Sequence, residues 1–181
     1  MPVISEEYRA LNRQLHTDRS SYGTGLSSKR HYGTIANFAK SLNPASILDY
    51  GCGKGALGKA LSHLMVIGYD PSIPGLDDLP EPADFVVSTD VLEHIEPELL
   101  DSVLDDIARC TRKAVFLTVN MMPAEAKLAD GRNAHLIQKP VEWWLPKLMA
   151  RWDLRAVNVV PGEFAFFGLA KEEKQSGRIA A

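Results

Sequence analysis

The stretch ILDYGCGKGAL, residues 47–57, carries a short, mostly apolar strand with Asp49 inside it into a turn where Gly51, Cys52 and Gly53 precede a helix start. Glycines let a backbone bend sharply and approach a ligand closely, and the amides of a helix start are unpaired donors. Such a turn is the first crossover of a parallel α/β unit, and ligands bind there, beyond the carboxyl ends of the strands. Downstream, Leu57, Leu61 and Leu64 predict a helix and MVIGYD a second strand, which completes β, α, β in the length a parallel crossover needs. ADFVVS is a third strand. Pro97 opens a helix striped by Leu99, Leu100, Val103, Leu104 and Ile107, and KAVFLTV is another apolar strand. The run NMMPAEAKLADGRNAHLIQ exceeds an ordinary connection and is expected to be functional or lid-like. Pro140 can begin a helix bearing Trp143, Trp144 and Leu148, which Pro146 should kink or split. LRAVNVV and EFAFFGLA, joined by Pro161-Gly162, suit an antiparallel hairpin.

Upstream, Ser5 caps a helix carrying Tyr8, Leu11 and Leu15, and Ser27 or Ser28 caps another carrying Tyr32, Ile35, Phe38 and Leu42. The polar HTDRSSYGTG between them is expected to be a mobile loop. Alternating helices with apolar, non-alternating strands predict a three-layer α/β sheet, mostly parallel, in a single domain. Its parts are an N-terminal helical cap (1–44), a core (45–170) and a charged, disordered tail (171–181). The 181 residues, 45% apolar, can bury one sizeable core. Twenty basic against twenty-three acidic side chains leave a charge of -3 with no basic run, which disfavours nucleic acid. There is neither a signal layout nor a bilayer-length apolar stretch, so a cytoplasmic protein is expected. Cys52 and Cys110 read as free thiols, and no metal site is expected.

Two ligand classes use the opening turn. Gly51, Gly53 and Ala56 satisfy the G-x-G-x-x-A dinucleotide spacing, with Asp70 about twenty residues on for a ribose diol. Asp49 discriminates, because its carboxylate would repel a pyrophosphate in the same small cavity yet attract an ammonium and a sulfonium. S-adenosylmethionine has that charge pattern. The phosphate-binding G-x-x-x-x-G-K-[ST] loop is absent.

With ILDYGCGKG, VIGYDPS, ADFVVSTDVLEHI and AHLIQKPVEWWLPKL, the chain resembles the Rossmann-like, class I S-adenosylmethionine-dependent methyltransferases over roughly residues 45–170. The resemblance implies that Asp49 and the backbone of Gly51, Cys52 and Gly53 hold the methionine end and that Asp70 takes the ribose. It implies that Pro71 lines the adenine side, that Thr89 and Asp90 flank the reactive methyl, and that S-adenosylhomocysteine is the product. Between GYDPS and ADFVV only IPGLDDLPEP replaces the family's usual helix and third strand. A trimmed sheet edge is therefore expected, with Leu76, Asp77 or Asp78 at the adenine.

Methyl transfer needs chiefly orientation and exclusion of water, but an alcohol or phenol benefits from a base. His135 is the candidate, a merely structural role being the alternative, and His94 is expected to support its turn. Trp143 and Trp144 could wall a substrate, although neighbouring helix positions diverge. His16, Tyr22 and Lys29 are candidate cap residues, and Arg132 and Asn133 either recognise substrate or shape a turn. The expected acceptor is a small molecule or glycan, methylated on oxygen. A non-catalytic cofactor-binding partner protein, a nucleic-acid methyltransferase and a nicotinamide oxidoreductase are the alternatives.

Overall fold

The computed structural model describes residues 2–25 and 28–172. Its strands are β1 (Ile47–Tyr50), β2 (Val66–Tyr69), β3 (Ala83–Thr89), β4 (Thr111–Asn120), β5 (Trp152–Val160) and β6 (Glu163–Ala170). They form one sheet in the order β2-β1-β3-β4-β6-β5. The first four strands pair in parallel, and β6 runs antiparallel to β4 and β5, as the Pro161-Gly162 hairpin predicts. The helices are α1 (Glu6–Asp18), α2 (Tyr32–Leu42), α3 (Ala56–Ala60), α4 (Leu100–Cys110) and α5 (Val141–Arg151).

Strand alternation divides the core into two layers. Ile47, Phe85, Val87, Ala114 and Phe116 pack against Ile35 and Ala39 of α2 and Leu57 of α3. Leu48, Tyr50, Val86, Val115 and Leu117 face α4 and α5 on the other side. Leu100, Val103, Leu104 and Ile107 of α4 are buried, each contributing about 1.5–3 kcal/mol by leaving water. That stripe fixes the face α4 presents. The helix α1 packs instead on the long segment after β4, with Tyr8 and Leu15 against Ala126, Leu128 and Ala134. Of residues 1–44, then, α1 forms a cap while α2 belongs to the sheet's helical layer.

Four local expectations need correction. Ser28 opens a 3-10 turn rather than capping α2, and its hydroxyl donates to Asp90 Oδ2 at 3.3 Å. The helix after the glycine turn has only five residues, because Leu61 already leaves helical geometry. Pro146 does not split α5, which runs unbroken. Tyr22 and Gly23, inside the loop expected to be mobile, pack onto the site, and Gly23 O accepts from Lys54 N at 2.8 Å. Ser27 and tail residues 173–181 lie outside the described residues.

After β1 the chain crosses to β2 on one side and then to β3 on the other. The carboxyl ends of β1 and β3 therefore flank the switch point where such sheets bind ligands. Among the described residues no strand covers the outer edge of β2, where Ile67 is 42% exposed. The trimmed sheet edge is thus observed.

Candidate active site

A cavity of about 650 Å³ opens at that switch point, a size suited to small molecules. Asp49, Gly51, Cys52, Gly53, Asp70 and Pro71 line it together with Thr89, Asp90 and His135. The backbone leaves β1 through Gly51 (φ 79) and Gly53 (φ 51). A β-carbon on Gly51 would lie 2.5 Å from Val91, and one on Gly53 would lie 2.5 Å from the carbonyl oxygen of Gly23. Protein packing, as well as ligand approach, thus demands glycine at both positions.

The turn's amides are engaged within the protein, contrary to the expectation of free donors. Gly51 N and Cys52 N donate to Tyr69 O at 2.7 and 3.0 Å, Gly53 N to Asp70 Oδ2 at 3.1 Å, and Lys54 N to Gly23 O. Gly51 O, by contrast, has no amide donor among the described bonds and can accept from an ammonium. Asp70 also accepts from Ser72 N at 2.9 Å, and carboxylate oxygens keep further lone pairs for a diol. Burial and the charge of Asp70 push the Asp49 carboxyl up to about 7. Cys52 is pushed up to about 12 by burial, which makes it an inert wall.

At the end of β3, Asp90 adopts a left-handed backbone (φ 55), a conformation Asp tolerates. Its amide donates to Thr118 Oγ1 at 3.1 Å, and its carboxylate accepts from Ser28 and Thr118. Beyond it, fully buried Glu93 accepts from Asn120 N at 2.9 Å through Oε1, while Oε2 is buried without a partner. Burial is the main cause that raises the Glu93 pKa, and it lowers that of His94 to about 4, with His135 adding to the effect. His135, 8% exposed, donates Nδ1–H to Met122 O at 2.5 Å. His94 likewise meets Ala134 O at 2.8 Å, and the two rings stand edge to face with centroids 4.6 Å apart. Carbonyls only accept, so both rings carry a proton on Nδ1, and the neutral form of each ring then has its lone pair on Nε2; the Tyr22 hydroxyl also lies 3.3 Å from His94 Nδ1. Glu93, His94 and His135 are the described residues that could hold a metal.

Several expected contacts fall elsewhere. Asp77 does not line the cavity; its carboxylate lies 3.5 Å from Arg13 and 3.8 Å from Arg9 of α1, and it accepts from Gly75 N. Leu76 and Asp78 are also absent from the lining. The edge at Pro71 and Ser72 is closed instead by α1, whose Arg9 and Arg13 donate to Pro71 O and Ser72 O, while Asn12 Nδ2 donates to Ser72 Oγ at 2.8 Å. Trp144 is wholly buried and Trp143 packs beside it under Lys147, so neither walls the cavity. Lys29 is exposed, Arg132 pairs with Asp130, and Asn133 holds the backbone of Ala124.

His16 and Tyr22 do line the cavity, with rings 4.8 Å apart. Sequence reading missed Asn12, Arg19, Glu93 and Glu96 as lining residues. The four-residue spacing of Tyr8, Asn12 and His16, a polar stripe beside the apolar one, was the available signal. Six carboxylates line the cavity, at Asp49, Asp70, Asp90, Glu93, Glu96 and Glu125, and Arg19 is the only Lys or Arg among the described lining residues. This favours a cationic ligand and opposes a diphosphate.

A family profile described as a methyltransferase domain matches residues 29–158. No curated protein sequence matches the chain. Among solved structures the chain is similar to the 1,6-didemethyltoxoflavin-N1-methyltransferase of Burkholderia thailandensis, holding S-adenosylhomocysteine (TM-score 0.66, 17% identity, 95% of this chain and 93% of that one). It is similar to DhpI in complex with S-adenosylhomocysteine (TM-score 0.60, 18% identity, 89% and 92%). It also resembles TehB of Haemophilus influenzae (TM-score 0.58, 19% identity, 77% of this chain), of which it spans 62%. The profile, the switch-point cavity and its acidic lining agree: the chain belongs to the methyltransferase-domain family, as a class I enzyme whose cofactor is S-adenosylmethionine.

Proposed function

We propose that the protein transfers the cofactor's methyl group to an oxygen of a small-molecule or glycan acceptor. Asp49 and Gly51 O take the ammonium, Arg19 the carboxylate, Asp70 the ribose hydroxyls, and Pro71 with α1 the adenine. Thr89 and Asp90 flank the methyl, and Cys52 and Gly53 shape the wall beside it. His135 is the catalytic residue in this reading. Its Nε2 lone pair sits on the segment after β4, where it can accept the proton of an acceptor hydroxyl while that oxygen attacks the methyl in line and the sulfonium leaves as a thioether. The observation that carries the reading is the place of His135 in the lining of a cavity of about 650 Å³, with Nδ1 held by the 2.5 Å bond to Met122 O.

Ile4, Ile95, Pro123 and Ala126 give the cavity an apolar portion that suits a compact acceptor or a single sugar unit. The net charge of -3 agrees with an acceptor other than nucleic acid. No described helix is long and apolar enough to cross a membrane. The Burkholderia neighbour, by its name, methylates a ring nitrogen, which makes a nitrogen acceptor the second reading.

Cell extract incubated with the protein and methyl-labelled cofactor, then resolved by mass, tests the proposal. A product heavier by one labelled methyl in place of a hydrogen, which yields a methyl ether on fragmentation, is expected. An N-methyl product overturns the oxygen assignment, and no methylated product with intact cofactor binding favours a non-catalytic partner protein.

A further inference from the structure

The lining of the cavity groups His135 with two side chains, Glu93 and His94, to which the methyl-transfer reading gives no role. One donor atom from each of Glu93, His94 and His135 lies within 4.8 Å of the others. Each histidine is held by a backbone carbonyl on Nδ1, Ala134 O for His94 and Met122 O for His135, which leaves the Nε2 lone pairs uncommitted. Outer partners of this kind orient imidazoles that ligate metals. Glu93 is the third member. Its Oε1 is satisfied by Asn120 N and its backbone carbonyl by Ile137 N, yet Oε2 is fully buried with no partner. An orphaned buried carboxylate oxygen is costly unless something positive or hydrogen-bonding meets it.

We propose that Glu93, His94 and His135 form a binding site for a first-row divalent cation, zinc(II) or iron(II) in class, on the wall of the methyl-transfer cavity. Two imidazoles and one carboxylate suit such ions, whereas magnesium and calcium prefer all-oxygen shells. Ligands about 2.1 Å from a tetrahedral ion stand roughly 3.4 Å apart, so donor atoms now within 4.8 Å of one another would close by up to about 1.4 Å around it. His94 and His135 come from the 3-10 turn after β3 and from the segment after β4. A bound ion therefore also ties that segment to the sheet. Asp90 and Glu96 add negative charge nearby in the same lining.

Three protein ligands leave coordination positions for an acceptor oxygen, whose pKa the ion lowers. The ion and a proton compete for the His135 lone pair, so in the loaded protein His135 is a ligand and the ion activates the hydroxyl. This last consequence rests on the methyl-transfer reading; cation binding does not.

Cobalt(II) titrated into chelator-treated protein tests the site through its visible d–d absorption. One equivalent, displaced by zinc(II), is expected, with His94→Ala and His135→Ala each weakening binding by at least about 100-fold and Glu93→Gln by about 10- to 100-fold. A wild-type measurement guards against variants that fail to fold: zinc(II) should shift two of the five histidine ring signals in the proton NMR spectrum. No cobalt spectrum, a spectrum that survives both alanine variants, or zinc shifts in none or all of the five rings overturns the site. S-adenosylhomocysteine binding is measured by calorimetry in parallel. A failed cobalt titration with intact binding overturns the metal site alone, and cobalt binding without S-adenosylhomocysteine binding supports the site while overturning the methyl-transfer assignment.

Discussion

Asp49 lies in the third position of β1, 5% exposed, and burial followed by the charge of Asp70 pushes its pKa up to about 7. An ammonium beside it lowers that value again, so below about pH 7 the free protein holds a proton that must leave when the cofactor binds. Affinity for S-adenosylhomocysteine should therefore fall as pH drops below about 7, approaching tenfold per unit, and calorimetry at pH 6 should register proton release to the buffer. Asp49→Asn should bind more weakly with a flat pH profile; an unchanged profile would rule out the electrostatic role. Stability runs the other way. The folded pKa exceeds the unfolded one near 3.8, so the contribution is fully present below the unfolded value and is lost as pH rises through about 7. Asp49→Asn should then raise the melting temperature at pH 8 and leave it little changed at pH 4. Gly53 is constrained differently: Gly53→Ala would drive a methyl into Gly23 O from a left-handed backbone, costing about 1–3 kcal/mol in thermal unfolding.

The missing strand beside β2 transfers its work to α1, which holds Pro71 and Ser72 through Arg9, Asn12 and Arg13. Asn12→Ala removes the hold on Ser72 and should raise the S-adenosylhomocysteine dissociation constant by about 3- to 10-fold, the equivalent of one hydrogen bond, with little loss of thermal stability because Asn12 is only half-buried. Equal affinity in the variant would show that α1 leaves the adenine side to other groups. In α5, exposed Pro146 withholds the amide that would reach the Glu142 carbonyl, yet Trp144 and Leu148 are buried deeply enough to keep the helix whole. Pro146→Ala should therefore stabilise the protein by about 1–2 kcal/mol, the restored bond exceeding the entropy that proline removes from the unfolded chain. The strands, α4 and the hairpin were legible because their apolar periods are local properties of the sequence. The misread elements depended on distant partners. Ser28 found Asp90 and Asp77 found two arginines of α1, pairings that no spacing along the chain encodes.

At the scale of the molecule, a parallel sheet that reverses its strand order after β1 fixes where a ligand must sit, and the chain's acidic residues fix what kind. The position was readable from residues 47–57, since a glycine turn after a buried strand has few other uses in an α/β fold. The charge was only half readable: Asp49 and Asp70 lie near the motif, whereas Glu93 and Glu96 reach the cavity from the turn after β3 and Glu125 from the segment after β4. Six carboxyl groups face one arginine, and although burial raises the pKa of Asp49 and Glu93, the rest keep the cavity a region of negative potential. A reduced nicotinamide dinucleotide would bring two phosphate charges into that field, and the turn amides that might have cradled them already donate to Tyr69, Asp70 and Gly23. Fluorescence titration with this dinucleotide should accordingly give no saturable signal at concentrations where S-adenosylhomocysteine binds fully. Saturable dinucleotide binding that S-adenosylhomocysteine displaces would mean that the field is neutralised in a way these six carboxylates do not allow.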